Sequence, residues 1–99
     1  MYQIEIVPDA VEELKMIPAF HRKRIEQAVE GQLRFEPVKR TKNRKSLEGV
    51  VAGFEHEPPL WQLRVGEWRV FYDVDLEEKI VTIRAVREKL PSSRTEDIL

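Results

Sequence analysis

The stretch Trp61-Gln62-Leu63-Arg64-Val65-Gly66-Glu67-Trp68-Arg69-Val70-Phe71-Tyr72 decides the fold. Two runs rich in β-branched and aromatic residues flank a two-residue break. Glycine at the first position of that break suits a type II′ hairpin turn. With Gly66-Glu67 as the loop, Val65 pairs with Trp68, Arg64 with Arg69, Leu63 with Val70 and Trp61 with Tyr72. Side chains alternate along a strand, so Leu63, Val65, Trp68 and Val70 share one face, and Arg64 and Arg69 share the other beside Gln62 and Phe71. Two arginines directly opposite one another cost a few tenths to about 1 kcal/mol relative to a neutral pair. Folding alone does not call for such a pair. A bound polyanion would relieve it, because guanidinium groups chelate phosphate oxygens in a fixed fork. Ion pairing with Asp73, Asp75 or Glu67 is the alternative.

Downstream, Asp75-Leu76-Glu77-Glu78 makes a turn into a third strand, Lys79 to Arg87, with Val81, Ile83 and Ala85 as core and Thr82 and Arg84 pointing away. Arg87 and Lys89 close this strand. The tail from Pro91 to Leu99 carries a short helix. Upstream, Pro37, Gly49, Gly53, Pro58 and Pro59 mark residues 37–59 as a loop region with at most a short element around Ser46-Leu47. Between Glu36 and Glu48 there is no acid, while Lys39, Arg40, Lys42, Arg44 and Lys45 crowd together. This run reads as a phosphate-binding patch or as a solvated loop. His56, flanked by Glu55 and Glu57, lacks the structured spacing of a metal site.

At the start, Tyr2, Ile4 and Ile6 alternate with Gln3, Glu5 and Val7, a half-buried strand. Pro8 suits the first turn of a helix, Asp9, Glu12 and Glu13 complement its dipole, and Pro18 ends it. A longer helix runs from about Ala19 to Glu36, with Ile25, Ala28, Val29 and Leu33 at helical spacing and Pro37 as its stop. His21, in the basic run Arg22-Lys23-Arg24, reads as a surface residue. The expected fold is α+β: an N-terminal strand and a two-helix hairpin packed on an antiparallel sheet that a three-stranded meander completes.

Composition narrows the function. Ninety-nine residues are expected to form a single domain, 1–99. The absence of cysteine removes thiol nucleophiles and thiolate metal sites. The opening residues lack the basic start and apolar run of a signal peptide, so a cytoplasmic location without membrane contact is expected. A net charge of −1 argues against a simple nucleic-acid coat, and the charge distribution matters more than its sum. There is no glycine-rich phosphate loop, paired-carboxylate signature or zinc spacing, so neither cofactor nor metal is expected. Metal-free RNA cleavage fits the remaining inventory. It needs a base for the 2′-hydroxyl, positive charge for the developing phosphorane and an acid for the leaving 5′-oxygen.

The segment from Trp61 to Asp75 also resembles a family pattern, aromatic-x-Leu-Arg-x-Gly-x-aromatic-Arg-hydrophobic-hydrophobic-Tyr, and Lys45-Ser46-Leu47-Glu48-Gly49 is similar to an upstream Lys-x-Leu-x-Gly element. Both belong to the RelE/ParE superfamily of toxins from type II toxin–antitoxin (plasmid-stabilisation) systems. The resemblance covers nearly the whole chain. It implies two N-terminal helices on a small antiparallel sheet, and a cognate antitoxin that covers the basic face with an acidic or amphipathic segment. For one branch it implies ribosome-dependent mRNA cleavage that blocks translation, and for the other, inhibition of DNA gyrase without nuclease chemistry. A degenerate toxin homologue kept for antitoxin binding and operon autoregulation is a third possibility. By position, Arg69 matches the arginine that stabilises the transition state in the nuclease branch. Arg64, Lys45, and Arg87 or Lys89 complete the candidate catalytic set. Lys39, Arg40, Lys42, Arg44 and Gln62 are the candidate RNA-binding residues. Nuclease members usually place a tyrosine or histidine in the C-terminal segment, and residues 87–96 here contain neither.

Overall fold

A computed structural model describes residues 1–99. The chain forms β1 (Gln3–Ile6), α1 (Pro8–Met16), α2 (Ala19–Ala28), β2 (Arg44–Leu47), β3 (Leu60–Val65), β4 (Trp68–Asp75) and β5 (Ile80–Glu88). The strands make one sheet in the order β1-β5-β4-β3-β2. The meander is antiparallel as expected, with Arg64 opposite Arg69 and Val65 opposite Trp68. Gly66 has φ +60° and Glu67 is not in the left-handed region, the pattern of a type II′ turn.

Three features differ from the sequence reading. First, the sheet is mixed. β1 runs parallel to β5, pairing Gln3 to Ile6 with Ile80 to Ile83. The two helices and the whole meander intervene before β5 reaches it, and no local signal sets that direction. Second, the short element allowed around Ser46-Leu47 is an edge strand that starts at Arg44 and pairs with β3. Third, the second helix is α-helical only to Ala28, then widens into a π-helical turn over Val29–Leu33 that ends short of Glu36. That turn keeps Val29 and Leu33 both buried against the sheet.

One face of the sheet carries the main core, where Ala10, Ile17, Ile25, Val29 and Leu33 from the helices meet Leu63, Val70, Tyr72, Val81, Ile83 and Val86. The opposite face is only half covered. There Leu60, Phe71 and Ala85 are roofed by Leu47, Val50 and Phe54 and by Ile98 and Leu99 of the tail, whose residues Thr95–Ile98 form a 3₁₀ turn. Ala85, expected in the main core, lies here because a bulge interrupts β5. Tyr72 pairs with Ile83 and Phe71 with Ala85, so Arg84 is an extra residue. The bulge resets the alternation, turning Val86 to the helices and Arg87 to the open face.

Tyr72 locks the loop to the sheet. It is fully buried, and its hydroxyl donates to the carbonyl of Pro37 at 2.6 Å. Burial pushes its pKa well above the ordinary 10.0, against a smaller opposing effect of the Arg44 charge. A folded pKa raised above the unfolded value means stability is intact below about pH 10 and lost as pH rises beyond it. Tyr72→Phe is expected to cost about 1–3 kcal/mol, by stranding the Pro37 carbonyl, and to weaken the alkaline loss of stability. Urea denaturation at neutral pH and above pH 10 measures both; an unchanged alkaline limb in the variant would contradict the assignment.

Candidate functional site

Three arginines stand abreast on the open face at the hairpin end of the sheet: Arg64 on β3, Arg69 on β4 and Arg87 on β5 are successive partners in register. One rung further from the turn, Lys45 on β2 pairs with Gln62 on β3. This end is not roofed by the tail, and it opens as a cavity of about 160 Å³ lined by Thr41, Lys42, Asn43, Arg44, Lys45, Gln62, Arg64, Arg69, Lys89 and Thr95. No lining residue is hydrophobic and none is acidic.

Each wall has a local cause. Thr41 Oγ1 accepts hydrogen bonds from the N–H groups of Asn43 and Arg44, both at 3.1 Å, closing a tight turn that delivers Lys42 and Lys45 to the rim. The carbonyl of Asn43 accepts from the N–H of Arg64 at 2.7 Å and fixes that turn against β3. Thr95 Oγ1 donates to Gln62 Oε1 at 3.5 Å, which brings the tail to the opposite wall. The N–H of Lys89 donates to the carbonyl of Glu67 at 2.7 Å, placing Lys89 beside the hairpin turn.

Arg69 is the best fixed of the cations. It is 9% exposed, and its Nη1 donates to the carbonyls of Gly66 at 2.8 Å and Trp68 at 2.9 Å. Nε and Nη2 have no protein partner. Burial first, and then the charge of Arg64, push its pKa below the ordinary arginine value. A guanidinium nevertheless stays charged at neutral pH. Arg64 is exposed. Of the three acids that the sequence offered as neutralising partners, two are engaged elsewhere and the third pairs with no cation. Asp73 binds Arg84 at 2.8 Å and accepts from the N–H of Glu57. Asp75 caps the next turn through the N–H groups of Glu77 and Glu78. Glu67 makes no ion pair, and neither do Lys45, Arg64, Arg69 or Lys89.

Several candidates lie apart from this cleft chemistry. The side chain of Arg87 turns away: its Nε meets Glu13 of α1 at 2.6 Å and its Nη1 donates to the carbonyl of Ile98 at 2.9 Å. Arg44 faces the helices and is 7% exposed, its Nη1 donating to the carbonyls of Glu36 and Gln32 beyond and within the π turn. It caps the helix end and does not offer its charge to a ligand. Lys39 pairs with Glu36 at 3.2 Å on the surface, and Arg40 donates to Ser46 Oγ at 3.2 Å. His21 is half-buried with its ring 5.8 Å from that of Trp68, and not a free surface residue. Thr41, Asn43 and Thr95 escaped the sequence reading, although Thr41-Lys42-Asn43 has turn composition.

Comparison with known proteins agrees with this architecture. The family model described as the ParE toxin of type II toxin–antitoxin systems matches residues 4–89. The chain belongs to that family. It is a type II toxin of RelE/ParE type. Among solved structures, RelE in the archaeal RelE–RelB complex of Pyrococcus horikoshii is 27% identical, covering 92% of this chain and 98% of that one with a TM-score of 0.71. The RelBE2 toxin–antitoxin complex of Mycobacterium tuberculosis matches at 24% identity, 89% and 98% coverage and TM-score 0.72, and isolated Escherichia coli RelE at 14%, 94% and 89%, and 0.62. At those lower identities the likeness is one of fold. A search of curated proteins gives no match.

The geometry separates an ion-paired arginine of this toxin, Arg87, from an exposed and unpaired one, Arg64. Glu13 Oε1 accepts from the N–H of Val86 at 2.9 Å while its Oε2 holds Arg87, closing the edge of β5 where β1 has ended. Arg87→Ala is expected to lower stability by about 1 kcal/mol, a modest figure because the ion pair is one-third exposed and partly screened. Arg64→Ala is expected to be neutral or stabilising by a few tenths of a kcal/mol, through relief of the cross-strand repulsion. Thermal melts of the two variants check this; equal destabilisation would refute the division.

Proposed function

We propose that this toxin is an mRNA endonuclease that acts on the ribosome, and that the cleft of Lys45, Arg64, Arg69 and Lys89 holds the scissile phosphate. The observation that carries this reading is a cavity whose lining holds Lys42, Lys45, Arg64, Arg69 and Lys89, none of them in an ion pair, and no acid or hydrophobic residue. A folded domain gains nothing from that arrangement, and a phosphodiester supplies the missing negative charge.

The chemistry it supports needs no metal. The 2′-oxygen attacks phosphorus and the bond to the 5′-oxygen breaks, leaving a 2′,3′-cyclic phosphate and a 5′-hydroxyl. Arg69, held by the turn, meets the non-bridging oxygens with little reorganisation, and the exposed Arg64 closes from the facing strand. Lys45 and Lys89 are the cleft groups able to move protons, one at the 2′-oxygen and one at the leaving 5′-oxygen. Gln62 positions the strand.

A cognate antitoxin is part of the proposal. The P. horikoshii and M. tuberculosis structures are toxin–antitoxin complexes, and an acidic or amphipathic segment laid over this cleft would neutralise its charge. One observation favours a second reading, gyrase inhibition without cleavage: the cleft holds no tyrosine, histidine or carboxylate, since Tyr72 is buried and bonded to Pro37. Induction in cells with separate readouts of mRNA cleavage and plasmid supercoiling decides between them; absence of both effects, with antitoxin still bound, marks the degenerate homologue.

Arg69→Ala is expected to reduce cleavage by about 10²–10³-fold, the range for removing one preorganised electrostatic donor. Because Arg69 also bonds two turn carbonyls, stability is expected to change by no more than about 1 kcal/mol, the lost bonds offsetting the relieved repulsion. Unchanged cleavage in a folded variant would sink the assignment.

A further inference from the structure

The cation cleft does not end at the hairpin. Over the tip, on the helix side, the guanidinium of Arg24 lies against the turn: a β-carbon placed on Gly66 would stand 3.5 Å from its Nη2. The carbonyl of Gly66 is the same one that binds Arg69 from the opposite face. Arg22, Lys23 and Arg24 form no ion pair. Glu67 on the turn and Glu88, opposite Trp68 in register, are the nearby carboxylates, and neither pairs with a cation.

Beside Arg24 stands a row of aromatic rings. Phe20, one helical turn before it, is 71% exposed. Its ring meets that of His21 edge-on at 5.4 Å, and His21 meets Trp68 at 5.8 Å. Phe20 stands just before the cations Arg22, Lys23 and Arg24 on the helix and is, with Phe35, one of two exposed phenylalanines. Nδ1 of His21 is buried without a hydrogen-bond partner, and the ring is held between those of Phe20 and Trp68.

We propose that Phe20, His21 and Trp68 are a stacking platform for a base of single-stranded RNA, and that Arg24 binds the phosphate carrying the strand over the hairpin tip from the cleft. The inference rests on the reading that the cleft binds RNA. Base–aromatic stacking and flanking cations are the two elements of sequence-tolerant single-strand recognition, and here they adjoin a phosphate site across one turn. The platform serves the nucleotides next to the scissile phosphate and leaves the chemistry to the cleft.

The test uses the full-length toxin and two labelled 2′-O-methyl oligouridines, about four and about twelve nucleotides long, so that the shorter fills the cleft alone. Fluorescence anisotropy reads their affinities for the wild type, Arg69→Ala and a Phe20→Ala/Arg24→Gln variant, with a thermal melt to confirm folding. The double variant is expected to bind the long oligonucleotide about tenfold more weakly, to lower its log–log salt slope by about 0.7 and to leave the short one unchanged. If both oligonucleotides bind through Arg69 and the double variant makes no difference, the platform is wrong and the cleft reading stands. If neither binds the wild type, both readings fall. If the double variant instead loses only the co-expressed antitoxin, the aromatic row is a protein-binding surface and the proposal is overturned.

Discussion

The register of the β3–β4 hairpin governs this molecule. Gly66 takes a φ of +60° that lets two residues reverse the chain, and the short turn leaves no slack in the pairing. A slip by one residue would exchange the faces of both strands. Leu63, Val65 and Val70 would then face solvent, and Arg64 and Arg69 would enter the helix-covered core. The burial of the apolar set therefore enforces the exposure of the charged set, and the arginine pair is maintained by hydrophobic energy from the other side of the sheet. The repulsion between two facing guanidinium groups, at most about 1 kcal/mol, is small beside the burial of three aliphatic side chains.

The rest of the fold keeps the acids away from that pair. The chain carries 18 acidic residues against 17 basic ones, yet no carboxylate lines the cation cleft. Asp73 is held by Arg84, which the β-bulge brings to the open face. Glu13 is held by the N–H of Val86 and by Arg87. The same bulge that aligns Arg87 with Arg64 and Arg69 in register thus leaves its side chain free to reach α1. A row of three arginines in the backbone becomes a pair in the cleft, with Lys45 and Lys89 completing the field. The tail contributes by covering Phe71 and Ala85 with Ile98 and Leu99, while Thr95 reaches only the cleft wall at Gln62 and leaves the hairpin end uncovered.

The features legible in the sequence are those set by short-range rules. Gly66-Glu67 with alternating neighbours specifies a hairpin, its register and the residues on each face, so the cleft arginines follow directly. Pro8, Pro18 and Pro37 bracket the helices for equally local reasons. What the sequence hides is decided by contacts distant along the chain. The parallel docking of β1 depends on β5, some eighty residues away in sequence by the pairing of Gln3 with Ile80. Arg44 sits in the same basic run as Lys45, yet strand alternation turns one to the helix carbonyls and the other to the cleft, and nothing in the run announces a strand there. Arg87 reads as a site residue until Glu13 claims it, and only the fold brings those two together. Residues 50–54 read as plain loop because Gly49, Gly53, Pro58 and Pro59 punctuate the segment, which masks the alternation of Val50, Ala52 and Phe54 that roofs a second small core.

The central claim is that the hairpin end of the sheet is a built phosphate site. Heteronuclear NMR titration of the free toxin with a non-cleavable 2′-deoxy dinucleotide measures it directly. The account predicts saturable shifts in the backbone amides of Lys45, Arg64, Gly66, Arg69 and Lys89, all lost in Arg69→Ala, with the amides around Glu13 and Arg87 unmoved. Shifts scattered over the basic surface, or centred on Arg87 and persisting without Arg69, would contradict it.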